Sequence, residues 1–313
     1  MTSKSKQVPK NNIEIRVIGQ MRSGNHVIID WLIGLYPGQS RCFLNNLSHG
    51  DLDPYEACDK IELRSIPRNI RIDELRRLNK DVIIYSYEDQ HSIEAQSVSF
   101  LESVFHGFEQ RAECLLGESK HKFDVLVIRD PFNLLASRLE MLRKRGPQGG
   151  IANMYIIKRE WIALANYILD KKTRAGRKTI VIQYNKWLLD QNYRATIASQ
   201  LSGKNWNKPL ASLSLYGGSS SFATSLAEYH GKLRLSELPL KWKNIFKLQT
   251  WARLHVAAQR LTLADPKPTD FLSRWEILKN DKEYRLYAKD KKLLALSEKI
   301  FGKIEGIRGF VNS

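Results

Sequence analysis

The residues best suited to chemistry form a short loop between an apolar strand and an apolar helix. Residues 19–26 read GQMRSGNH and follow the β-rich run at residues 13–18. The two glycines allow the backbone to approach a ligand closely, and backbone amides at the start of a helix attract an anion. The pattern predicts a phosphate-binding loop in which Arg22 is the cation.

The loop has the Gly-x4-Gly spacing of a nucleotide-hydrolase P-loop but lacks two of its functional side chains. Asn25 and His26 stand where that loop has Lys and then Ser or Thr. The lysine would hold the outer phosphates and the hydroxyl would hold Mg²⁺, so we do not expect a nucleoside triphosphate with its metal. A donor with one reacting anionic group, transferred without a metal, suits Arg22 better.

A second motif follows the buried-strand pattern at residues 123–128. That strand ends at Arg129, Asp130 and Pro131 start a helix, and Ser137 lies eight residues after Arg129. A cation at the end of a strand and a hydroxyl about two turns into the next helix can converge on one phosphate. The sequence therefore predicts a second phosphate site.

Together, the two motifs resemble those of the sulfotransferases that use 3′-phosphoadenosine 5′-phosphosulfate (PAPS). In that family an Arg-Ser-Gly or Lys-Ser-Gly loop binds the 5′-phosphosulfate, and an Arg-x7-Ser pair binds the 3′-phosphate. The resemblance implies that Arg22, Ser23 and Gly24 bind the first group and that Arg129 and Ser137 bind the second. It also implies sulfuryl transfer from PAPS that leaves 3′-phosphoadenosine 5′-phosphate (PAP) and requires no metal.

Other stretches are similar to bacterial members of the family. The resemblance places Tyr184, at the end of an apolar run, beside the adenine, and Phe222 ends a similar Gly- and Ser-rich stretch. The family's Arg-Lys-Gly segment, which binds the 3′-phosphate, has no clean copy here. We expect Arg274 or the basic cluster at residues 241–243 to take its place.

The candidate general base follows the strand between the two phosphate motifs, as it often does in the family. Here residues 82–87 are followed by Glu88 and, three residues later, by His91. Glu88 is nearest the end of the strand, whereas a histidine has the pKa better suited to neutral pH. We favour Glu88 and then His91 as the base, with His26 or a residue in 223–272 next. We expect Arg22 to stabilise the charge that develops on the bridging oxygen.

Most of these residues also have a structural interpretation. Ser23 and Asn25 are suited to capping the helix at whose start they lie, and His26 to packing or capping. Glu88 is equally suited to cap a following helix. Tyr184 and Phe222 are equally suited to packing in the core. We include Asn25 and His26 among the expected contacts to the 5′-phosphate.

Length and composition predict one large domain at residues 13–313 after a basic tail at residues 1–12. With 313 residues, 42% of them hydrophobic, the chain can bury a substantial core without a metal or a disulfide. Its three cysteines lack metal-ligand spacing and favour a reducing compartment. The tail has no apolar run, so we expect no signal peptide, no membrane insertion and a cytoplasmic location.

The net charge of +17 fits a polyanionic donor but exceeds what one ligand requires. Most lysines and arginines are scattered along the chain, which is typical of solvated faces. A nucleic-acid or polyanion binder on a decayed nucleotide fold is the alternative from another class of protein. The sequence contains no zinc finger, basic zipper or RNP motif, so we expect no specific nucleic acid partner.

Apolar runs alternate along the chain in the order typical of an α/β protein. The alternation predicts a P-loop-like parallel sheet flanked by helices, which the resemblance identifies with the sulfotransferase fold, and a helical acceptor-site cap at residues 223–272. Ligands of such sheets bind beyond the carboxyl ends of the strands, where both phosphate motifs lie. The predicted strands are residues 13–18, 82–87, 124–128 and 179–183, and the predicted helices are residues 24–35, 93–117, 131–145, 152–170 and 191–202.

The kind of acceptor is inferred from charge. Tyr87, Glu88 and Asp89, with Glu94, make an acidic segment in a basic protein. A pocket lined by carboxylates favours a cationic or polyhydroxylated small molecule over an acidic glycan. The loop is also similar to those of cyanobacterial natural-product sulfotransferases, including enzymes that modify saxitoxin-type alkaloids. A glycan or lipid head-group sulfotransferase is the alternative within the family.

Overall fold

The computed structural model describes residues 10–47, 53–88, 115–145, 151–171, 176–202 and 272–313. Several features predicted above lie outside these residues and stay predictions. They are His91, Phe222, the cluster at 241–243, nearly all of the cap, most of the helix predicted at 93–117, and most of the tail.

The described strands form one six-stranded sheet. They are β1 (Lys10–Gly19), β2 (Arg41–Leu47), β3 (Cys58–Arg64), β4 (Val82–Tyr87), β5 (Glu118–Ile128) and β6 (Lys178–Gln183). Their order is β3-β2-β4-β1-β5-β6, and all neighbours run parallel except β2 and β3, which pair antiparallel. The predicted α/β class is confirmed. The expectation of a wholly parallel sheet is corrected at the β3 edge.

The sequence does not predict β2 and β3, and their composition explains why. β3 reads CDKIELR, is only partly buried along its length, and exposes Lys60 on the sheet edge. Charged side chains are typical of edge strands, where they discourage pairing with another chain, and they obscure the apolar alternation that marks a strand. β2 is buried mainly over residues 42–44, which is too short a run to indicate a strand by itself.

Helices cover both faces of the sheet. The described helices are α1 (Asn25–Gly34), α2 (Pro54–Ala57), α3 (Ile72–Arg77), α4 (Pro131–Arg145), α5 (Ile151–Leu169), α6 (Tyr184–Leu189), α7 (Gln191–Ser202), α8 (Arg274–Leu278), α9 (Lys282–Ala288), α10 (Lys291–Phe301) and α11 (Ile307–Asn312). Of these, α1, α4, α5 and α7 were predicted, and each begins and ends within one residue of the prediction. No described helix is long and apolar enough to cross a membrane.

Two hydrophobic cores lie on opposite faces of the sheet. In β5, Val125 and Val127 join the core that includes residues of α1 and α7, whereas Leu126 and Ile128 join the core that includes α4, α5 and the C-terminal helices. Successive side chains of a strand point to opposite faces, so a strand that is covered on both sides is continuously apolar. The C-terminal helices α8 and α9 pack on α4, which brings the end of the chain to the second phosphate motif.

A buried ionic cluster joins the middle parts of β1 and β5 to the residue before β6. Arg16 donates hydrogen bonds of 2.9 and 2.7 Å to the carboxylate of Asp124, and Arg177 donates bonds of 2.6 Å to both Asp124 and Glu14. Each of these four side chains is at most 7% exposed. Burial by itself would raise the pKa of Asp124, but Arg16 and Arg177 outweigh it and hold the pKa below its ordinary value. The cluster fixes β6 beside β5, and these two strands lead into the candidate site.

Candidate active site

Four neighbouring parallel strands present their candidate residues at one edge of the sheet. Glu88 follows β4, the glycine-rich loop follows β1, Arg129 follows β5, and Tyr184 follows β6. The strand pairings place Tyr87 opposite Ile18, Gly19 opposite Val127, and Ile128 opposite Gln183, so the four strands end close together. This edge is where α/β proteins bind their ligands.

Glycines allow the loop after β1 to pack tightly. Gly24 has a φ of 91°, and a Cβ atom there would collide with the ring of Tyr184. A Cβ on Gly19 would collide with Oδ1 of Asn25 and lie 3.0 Å from Cβ of Val127. Both positions therefore require glycine because side chains of the protein itself pack against the backbone there. The ligand contact that the sequence predicts is a separate reason.

Arg22 adopts an uncommon backbone conformation that links the two motifs. Its φ is 75°, in the left-handed region that residues other than glycine seldom occupy. The carbonyl of Arg22 accepts a 3.0 Å hydrogen bond from Nη1 of Arg129. That bond to a guanidinium holds the carbonyl in place and offsets the cost of the turn.

Asn25 and Ser23 are buried within the loop. The side-chain amide of Asn25 donates hydrogen bonds of 3.2 and 3.1 Å to the carbonyls of Gly19 and Gln20, and the N–H of Ser23 donates 3.0 Å to Gln20. Asn25 is 3% exposed and Ser23 is 1% exposed. Both residues thus help to shape the loop. Their side-chain contacts to a phosphate stay predictions.

Two arginines from distant parts of the chain converge on Ser137, and a third arginine is bonded to the backbone of the first. Nε of Arg22 donates a 3.1 Å hydrogen bond to Oγ of Ser137, and Nη1 of Arg274 donates a 2.6 Å bond to the same oxygen. Arg129 is joined to this group through the carbonyl of Arg22, and its guanidinium lies 5.2 Å from the centre of the Tyr184 ring. The sequence assigns Arg22 and Ser137 to different ends of the donor, whereas here the two side chains are in contact.

The cluster concentrates positive charge in a poorly solvated place. Burial, together with the charges of Arg129 and Arg22, lowers the pKa of Arg274 to about 9, although Glu140, 3.4 Å away, raises it. Burial likewise raises the pKa of Tyr184, which stays a neutral phenol near neutral pH. Like charges brought together repel, and an oxyanion with several oxygens offsets that repulsion. The donor set fits a phosphate group.

The second candidate for chemistry is Glu88 with His26. Glu88 is 7% exposed and its N–H donates a 3.2 Å hydrogen bond to Oδ1 of Asn46. Nε2 of His26, whose side chain is 61% exposed, lies 3.9 Å from Oε1 of Glu88. Asp30, one turn after His26, is half-buried, and burial together with nearby Glu62 raises its pKa. Arg64 and Lys60 also lie near Asp30 and oppose this shift, so charges of both signs lie beside this part of α1.

Other predicted residues lie in the core or at helix starts. Trp275, next to Arg274, is 5% exposed and its ring packs 5.7 Å from that of Phe310. Asp130 accepts a 2.9 Å bond from the N–H of Asn133 at the start of α4. In the part of the chain that the structure describes, no group of three or more His, Cys, Asp or Glu residues could hold a metal ion.

Sequence reasoning missed two polar residues next to the site, Asn133 and Asn185. The amide of Asn185 donates a 2.9 Å hydrogen bond to Asp130, and Asn133 contacts both Asp130 and the segment that carries Arg274. The signal available was their position, since each lies within the first turn after a strand that ends at the site. Neither belongs to a motif.

The solved structures similar to this chain include two sulfotransferases. No protein-family model matches the chain, and no curated protein matches it. Mouse sulfotransferase SULT7A1 complexed with PAP is 13% identical, with a TM-score of 0.37, over 62% of this chain and 60% of the mouse chain, less than two thirds of its length. The sulfotransferase domain of the Synechococcus PCC 7002 olefin synthase is 14% identical, with a TM-score of 0.35, over 88% of this chain and 98% of that domain.

Proposed function

We propose that this protein binds PAPS and transfers its sulfuryl group to a hydroxyl or amine of a small-molecule acceptor. The observation that carries the proposal is that Arg22 and Arg274 both bond Ser137 at the carboxyl edge of the sheet, while Arg129 bonds the carbonyl of Arg22 and lies near Arg274. Guanidinium groups present paired N–H donors that match phosphate oxygens, and three of them suit a donor that carries several negative charges.

Each part of the donor has a candidate binding group. Arg129, Ser137 and Arg274 would hold the 3′-phosphate, and the backbone of the loop after β1 would hold the 5′ end together with Arg22. Tyr184, buried beside Arg129 and Gly24, would contact the adenine. PAPS supplies an activated sulfuryl group when bound. The arginines then orient it and stabilise the charge that develops on the phosphate left behind.

Glu88 is the proposed proton acceptor. Its carboxylate is buried at the end of the strand next to the loop, and His26 lies 3.9 Å from it on the exposed side. A base at this place takes the proton of the acceptor hydroxyl or amine as the acceptor attacks. His91 stays the next candidate from the sequence.

The acidic groups around His26 support a polar or cationic acceptor. Glu88 lies 3.9 Å from His26 and Asp30 lies one turn after it, and carboxylates at these places disfavour an acidic substrate. A saxitoxin-type alkaloid belongs to this wider class, and no contact among the described residues favours it over other polar molecules. Glycan and lipid head-group acceptors stay the alternatives, and a cytoplasmic location stays a prediction from the sequence.

The test is binding of PAP compared with 5′-AMP, which lacks the 3′-phosphate, and with ATP plus Mg²⁺. At ~100 times its dissociation constant, PAP should stabilise the fold by roughly 2.7 kcal/mol in thermal unfolding. A panel of hydroxyl and amine acceptors with PAPS should then yield PAP. Equal binding of PAP and 5′-AMP would overturn the proposal.

The net charge of +17 supports one alternative function, polyanion binding. Binding of DNA or RNA that falls steeply with salt, and that excess PAP does not displace, would favour this alternative over sulfuryl transfer. Displacement by PAP at equal salt would favour the enzyme.

A further inference from the structure

We infer that Asn133 is a positioning residue that places Arg274 in the phosphate site, so that recognition of the 3′-phosphate depends on how the C-terminal segment docks on α4. The inference rests on the proposed function, and it concerns a residue that makes no contact with the donor itself. The side chain of Asn133 is 1% exposed. Its partners in the C-terminal segment lie on both sides of Arg274.

A single amide group holds the backbone before and after Arg274. Nδ2 of Asn133 donates a 2.7 Å hydrogen bond to the carbonyl of Leu272, and Oδ1 accepts a 3.1 Å bond from the N–H of Trp275. These two bonds fix the start of α8 at one register. A shift of the segment by one residue would break both of them.

Because of the geometry of α4, this register determines where the guanidinium of Arg274 lies. Asn133 and Ser137 are four residues apart, so their side chains lie on the same face, one turn from each other. The segment that Asn133 holds therefore runs beside Ser137. Nη1 of Arg274 reaches Oγ of Ser137 at 2.6 Å from that place.

Asp130 determines which way the amide of Asn133 points. Its carboxylate is fully buried and accepts hydrogen bonds of 3.1 and 3.2 Å from Nδ2 of Asn133. A carboxylate only accepts, so the NH₂ group must face Asp130 and the amide oxygen must face the N–H of Trp275. The two amide protons are thus shared between Asp130 and the carbonyl of Leu272.

Packing docks the C-terminal segment, but packing alone need not set its register. The ring of Trp275 contacts Phe310, and the hydroxyl of Tyr284 donates a 3.1 Å hydrogen bond to the carbonyl of Phe132. Apolar contacts are non-directional and tolerate small shifts, whereas hydrogen bonds to backbone groups do not. Tyr284 holds α9, eight or more residues after the start of α8, whereas the two bonds from Asn133 act on the backbone on either side of Arg274.

The main test compares the affinities of PAP and 5′-AMP in Asn133→Ala. Loss of the positioning bonds should weaken PAP about tenfold, the effect expected when one charged hydrogen bond to the phosphate is lost, and should leave 5′-AMP unchanged. The backbone bond that caps α4 survives this change, since it involves the N–H of residue 133. An unchanged ratio of PAP to 5′-AMP affinity in Asn133→Ala overturns the inference.

Asn11→Ala is the matched control. Asn11 is also a buried amide, 3% exposed, that donates a 2.8 Å bond to a backbone carbonyl, but it lies at the opposite end of β1. Asn11→Ala should lower stability without changing the ratio of PAP to 5′-AMP affinity.

A double variant adds a second criterion. In an Arg274→Ala background, Asn133→Ala should change PAP affinity less than twofold, and a full tenfold further loss overturns the inference.

Hydrogen exchange of the unmodified protein keeps the inference testable if Asn133→Ala does not fold. PAP should slow exchange of the Trp275 amide, and 5′-AMP should not. Equal protection by both ligands overturns the inference. Failure of the proposed function has a different result, because the unmodified protein would then bind PAP no more tightly than 5′-AMP.

Discussion

Nη1 of Arg274 lies 2.6 Å from Oγ of Ser137, although 137 positions separate the two residues in the chain. Ser137 also accepts a bond from Arg22, which lies 115 positions before it. The candidate phosphate site is therefore assembled from the first loop, the middle of the chain and the C-terminal segment. Its affinity for a phosphate therefore depends on how these three parts fold together.

Arg129→Ala should lower PAP affinity by about tenfold or more, because charged hydrogen bonds contribute roughly 1.5–3 kcal/mol each. Isothermal titration calorimetry measures the change. Arg71→Ala is the control, since it removes the same charge and the side chain of Arg71 is 77% exposed before α3, with Asp73 3.9 Å away. It should leave PAP affinity within about twofold. Equal losses for both variants would show that net charge, and not the site, binds PAP.

Gly24→Ala should destabilise the protein and weaken PAP binding, because the new Cβ meets the Tyr184 ring at a left-handed φ of 91°. Overpacking should cost roughly 1–3 kcal/mol beyond the backbone strain. Gly38→Ala isolates the strain, since its φ is 76° and no atom lies within 4 Å of the added Cβ. Urea unfolding of both variants measures the difference. Equal destabilisation would mean that the ring yields without cost.

Glu88→Gln should lower turnover by roughly 10²–10⁴-fold while PAP affinity stays unchanged, since a general base acts on the acceptor and not on the donor. The measurement uses an acceptor identified from the panel. His26→Asn and His91→Asn test the other two candidates in parallel. If Glu88→Gln keeps near-parental turnover, the base is elsewhere, and the histidine variant with the larger loss identifies it.

Asp124→Asn should destabilise the protein by roughly 3–5 kcal/mol at neutral pH, because it leaves the buried Arg16 without its carboxylate and Arg177 with only one of its two. The folded pKa of Asp124 is lowered, so its contribution is complete above its unfolded pKa of about 3.9 and is lost as pH falls towards the folded value. The variant should therefore lose less stability than the parent below about pH 4.

Asp73→Asn is the control for this pH dependence. Asp73 is 58% exposed and pairs with Arg76 at 2.7 Å, and exposed pairs contribute at most about 1 kcal/mol. Urea unfolding at pH 7 and pH 3.5 compares the three proteins. Equal effects of Asp73→Asn and Asp124→Asn would contradict a special role for the buried cluster.

Much of the fold could be predicted because its signals are local. The apolar runs of β4, β6 and α4 and the glycines of the first loop each lie within a few residues, and strands buried on both faces are easily recognised. β3 was missed because its exposed, charged edge interrupts that pattern. The antiparallel direction of β3 depends on its pairing with β2, a contact between separate segments.

The sequence by itself determined the alternation of strands and helices, the glycine-rich loop after β1, and the strand–helix turn that carries Arg129 and Ser137. Only the tertiary structure decided that Arg22 and Arg274 meet at Ser137, that His26 lies beside Glu88, and that Asn133 holds the C-terminal segment. Periodicity and turn chemistry act over a few residues. Strand order and helix docking follow from burying all the apolar faces at once, so contacts between distant side chains exist only in the folded chain.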